Sequence, residues 1–332
     1  MKVIAPSRSC PASTKTPRRR WTCLLGAAAF AAVVASNASA AFWNLTGAVV
    51  THDPSIIKEG STWWIFETGK GVPVKFSSNG TAWTQGVRLF ANDLSWWNTY
   101  VPNGSRDPNC WAPDIHKFGS RTYCYYSISI FGQNTSAIGL TSCTSIAAGD
   151  WRDDGVVISS KSGTNAYNAI DPNLTVDASG NPWLVFGSWF DGIHIVRLST
   201  STMKPTGTIF SIAKRSGGIE GANIVYANGF YYLFVSIDKC CQGVNSTYKI
   251  AYGRSTSITG PYTTKTGASM LSGNTTVLDA GNTRWKGPGG QDVYQNGSAW
   301  VIARHAYDAN NNGTPTLLIN DLFWDSSKWP TY

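Results

Sequence analysis

The chain has 332 residues, with 27 Lys and Arg against 19 Asp and Glu, a formal net charge of +8, and 13% Phe, Trp and Tyr. Six of the basic residues and none of the acidic ones fall in the first forty positions, so the remainder carries 21 against 19, a balance of +2. A nearly neutral body rich in Asn, Ser, Thr and Gly excludes the basic surface that nucleic acid or anionic membranes require.

The first forty residues have the layout of an export signal. Lys2, Arg8, Lys15, Arg18, Arg19 and Arg20 precede an apolar run from Cys23 to Ala35, and Ala38-Ser39-Ala40 supplies the small residues a signal peptidase needs. The run is short for a bilayer span. Residues 1–40 are therefore expected to be a removed secretory signal and 41–332 the mature, extracellular domain, with an uncleaved anchor as the alternative. Removing Cys10 and Cys23 leaves Cys110, Cys124, Cys143, Cys240 and Cys241, an odd number for an oxidising compartment. Cys124 with Cys143 could tie neighbouring strands and Cys240 with Cys241 could form a vicinal bridge. Spacing does not choose between them, and no Cys/His spacing matches a zinc site. Sequons at Asn44, Asn79, Asn103, Asn134, Asn173, Asn245, Asn274, Asn296 and Asn312 are candidate glycan acceptors. Asn173 is the poorest of them, two residues from Asp171.

Along the mature chain the same unit recurs five times, opening at His52-Asp53-Pro54-Ser55, Ala112-Pro113-Asp114, Ile170-Asp171-Pro172-Asn173, Glu220-Gly221-Ala222-Asn223 and Gly290-Gln291-Asp292. A turn such as Glu59-Gly60, Asn228-Gly229 or Asn296-Gly297 follows each opening, then an aromatic or β-branched run such as Trp63–Phe66 or Phe230–Val235. A more polar return strand comes next, and Trp83, Trp151, Tyr262 or Trp329 often closes the unit. Helical signals are almost absent. Aligning the openings on Asp53, Asp114, Asp171, Ala222 and Asp292 gives five repeats, which predicts an all-β, single-domain, five-bladed β-propeller. A β-sandwich would not repeat the same opening five times.

Inner strands of a propeller start near its axis, so acids at different openings converge there. Asp53, Asp171 and Glu220 are the relevant ones, although Asp before Pro is an ordinary turn starter when taken alone. Glycosidic cleavage needs a carboxylic acid to protonate the leaving oxygen and a carboxylate to activate water, and a third acid nearby raises its neighbour's pKa by repulsion. Asp114 and Asp292 read as structural. His116 and His194 lie on strands with no acidic partner suggested by spacing, and His52 adjoins the candidate base.

His52-Asp53-Pro54-Ser55, Cys110-Trp111-Ala112-Pro113-Asp114, Asn168-Ala169-Ile170-Asp171-Pro172, Gly187–Ile193, Ile219-Glu220-Gly221-Ala222 and Arg304-His305 together resemble glycoside hydrolase family 43, most closely its endo-1,5-α-L-arabinanases, over essentially the whole mature chain. The resemblance implies a five-bladed propeller and an inverting mechanism, with Asp53 as general base, Glu220 as general acid and Asp171 as the residue that orients and tunes the acid. Inversion calls for carboxyls roughly 6.5–9.5 Å apart, retention for about 5 Å. The resemblance places Trp111, Gly132, Asn168, Ala169, Ile170, Ser188, Trp189 and Phe190 along the substrate cleft, Asn168 and Ser188 offering hydrogen bonds to sugar hydroxyls and the aromatics flat faces for C–H surfaces. It also implies one calcium ion held through His305 and waters. No organic cofactor is expected. The implied partner is arabinan and its oligosaccharides, acted on by a monomer. The competing readings are an exo-acting arabinofuranosidase or β-xylosidase of the same family and a non-catalytic carbohydrate-binding propeller.

Overall fold

The computed structural model describes residues 42–332; the expected signal, residues 1–40, lies outside them. These residues form the expected five-bladed β-propeller. Five antiparallel sheets follow one another in chain order, each with its strands adjacent in sequence. Blade 1 comprises Ser55–Glu59, Thr62–Phe66, Val74–Ser77 and Ala82–Gln85, and blade 2 Trp111–Phe118, Arg121–Ser129, Ser136–Cys143 and Arg152–Ser160. Blade 3 is built from Asn173–Val176, Pro182–Phe186, Ile193–Leu198 and Pro205–Ala213, and blade 4 from Ile219–Ala227, Phe230–Ile237, Lys249–Ser255 and Thr276–Asp279. Blade 5 runs through Trp285–Asn296, Ala299–Asp308 and Thr314–Trp324 to Pro330–Thr331.

Each blade is covered on both faces by its neighbours, which explains why its second strand is apolar almost throughout rather than alternating. In Phe230–Ile237 every residue after the first is buried. The apolar side chains fall into five clusters, each shared between two consecutive blades. Tyr125 and Leu140 meet Leu174 and Phe186, for example, and Ile56 and Ile65 meet Val301 and Ile319. Each large aliphatic or aromatic side chain so buried contributes about 1.5–3 kcal/mol.

The ring closes through its first residues. Trp43 N–H donates to Ile319 O at 2.9 Å, Leu317 N–H to Val49 O at 2.7 Å and Thr51 N–H to Pro315 O at 3.1 Å, so residues 42–51 run beside the third strand of blade 5. Thr46–Gly47 also pairs in parallel with Ala82 and Trp83 of blade 1.

The five openings share a backbone register that corrects the alignment drawn from the acids. Asp53, Ala112, Asp171, Gly221 and Gly290 all adopt left-handed φ, between 36° and 56°. The residue two positions later, Ser55, Asp114, Asn173, Asn223 or Asp292, reaches across to the next blade. There it accepts the backbone N–H of Ile115 (3.0 Å), Leu174 (2.8 Å), Ile224 (2.9 Å), Val293 (3.3 Å) or Ile56 (2.8 Å). Asp114 and Asp292 thus occupy a different position from Asp53 and Asp171 and form part of a closed polar girdle. The side-chain amides of Asn173 and Asn223 also donate to Asp114 (2.8 Å) and Asp292 (3.0 Å), and the Ser55 hydroxyl donates to Asp292 at 2.9 Å.

Candidate active site

Where the openings converge they line a cleft of about 760 Å³ that contains Asp53, Asp171 and Glu220. The backbone aims these side chains. Register shifts between Trp111 and Asp114, Glu220 and Asn223, and Gly289 and Asp292 show that the left-handed residue sits in a bulge, a device that re-aims neighbouring side chains. Aspartate tolerates left-handed φ better than most residues, which suits positions 53 and 171. Glycine is required at 290, where a Cβ would stand 2.2 Å from Asp53 Oδ1.

A second ring of hydrogen bonds holds the left-handed residues. The N–H of Ala112 donates to Thr68 Oγ1 (2.8 Å), that of Asp171 to Ser127 Oγ (3.1 Å) and that of Gly290 to Ser236 Oγ (2.9 Å). The pattern changes twice. In blade 5 the acceptor is an imidazole, His305 Nδ1, 3.1 Å from Asp53 N. In blade 3 the corresponding position is Gly187, which has no hydroxyl, and Gly221 N–H donates instead to Asp171 Oδ2 at 3.0 Å.

Asp53 Oδ2 accepts from Thr68 Oγ1 and pairs with His52 Nδ1, both at 2.7 Å. Burial pushes the Asp53 carboxyl up, but the charge and hydrogen bond of His52, with the Thr68 hydroxyl, hold it well below the usual carboxylate range. Asp53 is ionised. His52 is raised despite the opposing effect of burial, because Asp53 faces it. Its Nε2 lies 2.9 Å from Tyr307 Oη, and its ring stacks on His305 with centroids 3.8 Å apart.

Glu220 is in the opposite electrostatic situation. Burial raises its pKa; hydrogen bonds from Ser188 Oγ to Oε2 and from Tyr248 Oη to Oε1, each 2.7 Å, offset part of the rise, while the charge on Asp53 adds to it. Asp171 is pushed well above the usual range by burial and by repulsion from Glu220 and Asp53, against the Gly221 N–H. The site therefore combines an ionised carboxylate with two half-buried carboxyls shifted toward their protonated forms. That division separates base from acid in glycosidases.

His52, Asp53 and His305 bring their ligand atoms within 4.8 Å of one another, close enough to hold a metal ion. His305 is fully buried, and burial lowers it to about 3, so it is a neutral imidazole. Its Nδ1 stands 3.1 Å from Asp53 N and 3.5 Å from Asp53 Oδ1, whereas its Nε2 is buried without a hydrogen-bond partner. Because Nδ1 accepts, the neutral ring carries its proton on Nε2, which fits a water of a hydrated cation rather than the bare ion.

Trp111, Gly132, Asn168, Ile170, Ser188, Trp189 and Phe190 line the cleft. Ala169 does not: it is fully buried, its N–H donated to Ser160 Oγ. The Ser188 hydroxyl, expected to meet a sugar, is committed to Glu220, and Asn168 Oδ1 accepts from Ser136 Oγ at 2.7 Å. The residues not anticipated are Thr68, Tyr248, Phe131 and Cys240-Cys241. Phe131 is 77% exposed and packs edge-on to Trp111. Cys240 and Cys241 are disulfide-bonded, while Cys110, Cys124 and Cys143 are free and buried. Cys124 and Cys143 fail to pair because Cys143 faces Thr122 and Cys124 faces Thr141 across the ladder. His194 has a partner that spacing did not suggest, Asp191, at 3.6 Å. Asn134 joins Asn173 as a buried sequon, its amide donating to Asn165 O and Tyr167 O.

An ionised carboxylate and others that favour their protons, gathered in one axial cleft, are the groups a glycoside hydrolase needs. Residues 43–330 match the model of glycosyl hydrolases family 43, and the chain belongs to that family. It is 56% identical over 305 residues, 90% of this chain and 92% of the other, to an extracellular endo-α-(1→5)-L-arabinanase 1 of Bacillus subtilis. An extracellular exo-α-(1→5)-L-arabinofuranosidase, ArbA of Cellvibrio japonicus, is 37% identical over 85% of this chain and 86% of its own. Among solved structures, a GH43 endo-arabinanase from Bacillus licheniformis superposes with a TM-score of 0.84 at 55% identity, covering 88% of this chain and all of that one.

Proposed function

We propose that this protein is a secreted endo-1,5-α-L-arabinanase that cuts internal α-1,5 links of arabinan with inversion. The observation that carries the reading is the split between Asp53, held ionised, and Glu220, held toward its protonated form, in one cleft. Water attacks the anomeric carbon as its bond to the leaving oxygen breaks; Asp53 accepts the proton of the water and Glu220 gives its proton to the departing oxygen. Asp171, its carboxyl pushed up by burial and by Glu220 and Asp53, fixes the Gly221 turn through its Oδ2, which sets the direction of the acid. Trp111, Phe131 and Phe190 offer C–H-binding faces to the sugar chain.

Endo rather than exo action is favoured by the 56% identity to an endo-acting relative against 37% to an exo-acting one. Product profiling on linear arabinan tests it. Mixed short oligosaccharides in the first minutes are expected, and arabinose alone from the outset would overturn the endo reading.

Calcium would be held through His305 by way of a water, with further waters and the neighbouring Asp53 completing its shell, and its charge would favour the ionised form of Asp53. Residues 1–40 would direct export and be removed. Among the described residues no helix is long and apolar enough to cross a membrane.

A further inference from the structure

The segment between the second and third strands of blade 4, residues 238–248, forms one wall of the cleft, and at its tip Cys240 and Cys241 are joined to each other. The segment is well anchored without that bond. Asp238 pairs with Arg215 at 2.7 Å and Lys249 at 2.8 Å, Thr247 N–H donates to Lys239 O at 3.0 Å, and Gln242 N–H donates to Ser246 Oγ at 2.9 Å. A disulfide stabilises through the chain entropy it removes, which grows with the number of residues enclosed. Between adjacent residues it encloses none. Global stability therefore does not account for it, and its local effect does: it freezes the intervening peptide and presents two sulfurs as one rigid surface.

The location of that surface is specific. Cys241 is exposed, its N–H donates to Tyr307 Oη at 2.9 Å, and its Sγ stands 3.9 Å from His52 Nε2. Tyr307 and His52 are hydrogen-bonded in turn, and His52 pairs with Asp53. The disulfide thus lies beside the base, on a wall built by blade 4 whose aromatic residue, Tyr248, is buried and committed to Glu220, unlike the exposed Phe131 of blade 2. Sulfur is soft and polarizable, suited to apolar contact.

We propose that the Cys240–Cys241 disulfide is a sugar-contacting element of the cleft. Its sulfur face packs against the C–H face of one pentofuranose ring of the bound chain, and Lys239 and Gln242 beside it donate hydrogen bonds to that ring's hydroxyls. The proposal rests on the reading that this cleft holds an arabino-oligosaccharide.

Linear α-1,5-arabinohexaose is titrated calorimetrically into the full mature chain carrying Glu220→Gln, which blocks turnover. The same measurement is made with Cys240→Ser and Cys241→Ser added, and with the Glu220→Gln protein mildly reduced and carboxamidomethylated, the two new adducts located by mass spectrometry. A three- to tenfold rise in Kd is expected for the double serine form and a larger one for the alkylated form. Should the serine form melt early, the alkylated form decides. Kd values within twofold of the disulfide-bonded protein in the folded forms overturn the proposal and leave the arabinanase reading intact. Failure of the disulfide-bonded protein to bind arabinohexaose overturns both.

Discussion

The polar girdle and the left-handed residues, Asp53 and Asp171 among them, lie two residues apart in the same five openings, yet they solve opposite problems. In the girdle every blade contributes one oxygen and the next blade one N–H, so the ring closes on itself and Asp114 and Asp292 spend their oxygens on neighbouring donors. In the ring around the left-handed residues the repetition fails at two places, His305 in blade 5 and Gly187 in blade 3, and at those places Asp53 and Asp171 acquire their special surroundings. Symmetry supplies the scaffold, and its two local failures supply the chemistry.

The largest effect that would sharpen this contrast is on turnover. Asp53→Ala and Glu220→Gln should each lower kcat on arabinan by about 10³-fold or more while leaving the melting temperature nearly unchanged. With an activated aryl arabinofuranoside the Glu220 variant should recover most of its rate and the Asp53 variant should not, since a good leaving group needs no proton. Equal losses on both substrates would break the assignment of roles.

The girdle should respond in the opposite way. Asp292→Ala leaves the buried donors of Ile56, Ser55 and Asn223 without their acceptor, and urea unfolding should show a loss of about 2–4 kcal/mol. A stability unchanged within error would mean that the girdle does not hold the blades together.

Smaller effects test the environment of the site. Removing bound metal with a chelator should lower activity several-fold and calcium should restore it; full activity after exhaustive chelation would remove the ion from the account. Ser188→Ala takes away a hydrogen bond that favours ionised Glu220, so the pKa of the acid rises further. Because the acid works only while protonated, activity is lost as pH rises through that value. The alkaline limb of kcat should therefore move up by about half to one pH unit. A limb that stays or moves down would mean that another group sets it.

Most of the fold was legible because its cause repeats. Each opening, turn and aromatic strand occurs five times, and both-faced burial leaves the same apolar run in every blade. The register at the openings was less legible, because the requirement the five blades share is a left-handed backbone, met by Asp, Ala and Gly alike, and side-chain chemistry does not mark it. Aligning acids therefore placed Asp114 and Asp292 level with Asp53, two residues from their true equivalents. Asp53, Asp171 and Glu220 were visible as acids at openings and their base and acid roles came with the resemblance, but the partners that set their protonation were not legible, since they lie up to 252 residues away. Tyr248 and Phe131 carried no signal among so many aromatics, and the hydrogen bond from Ser188 to Glu220 was not legible because a hydroxyl beside a cleft looks the same whether it meets a sugar or an acid.

The way the ring closes also fixes the order of events during synthesis. The third strand of blade 5 takes its partner from residues 42–51, and the amide of Asp53 finds its acceptor on His305, so the first and last parts of the folded chain must meet before either is complete. Contacts so distant in sequence form late. A nascent chain can assemble its middle blades as they emerge, but Asp53 is not positioned until blade 5 has been made. Hydrolytic competence is thereby withheld until nearly the whole chain has been made.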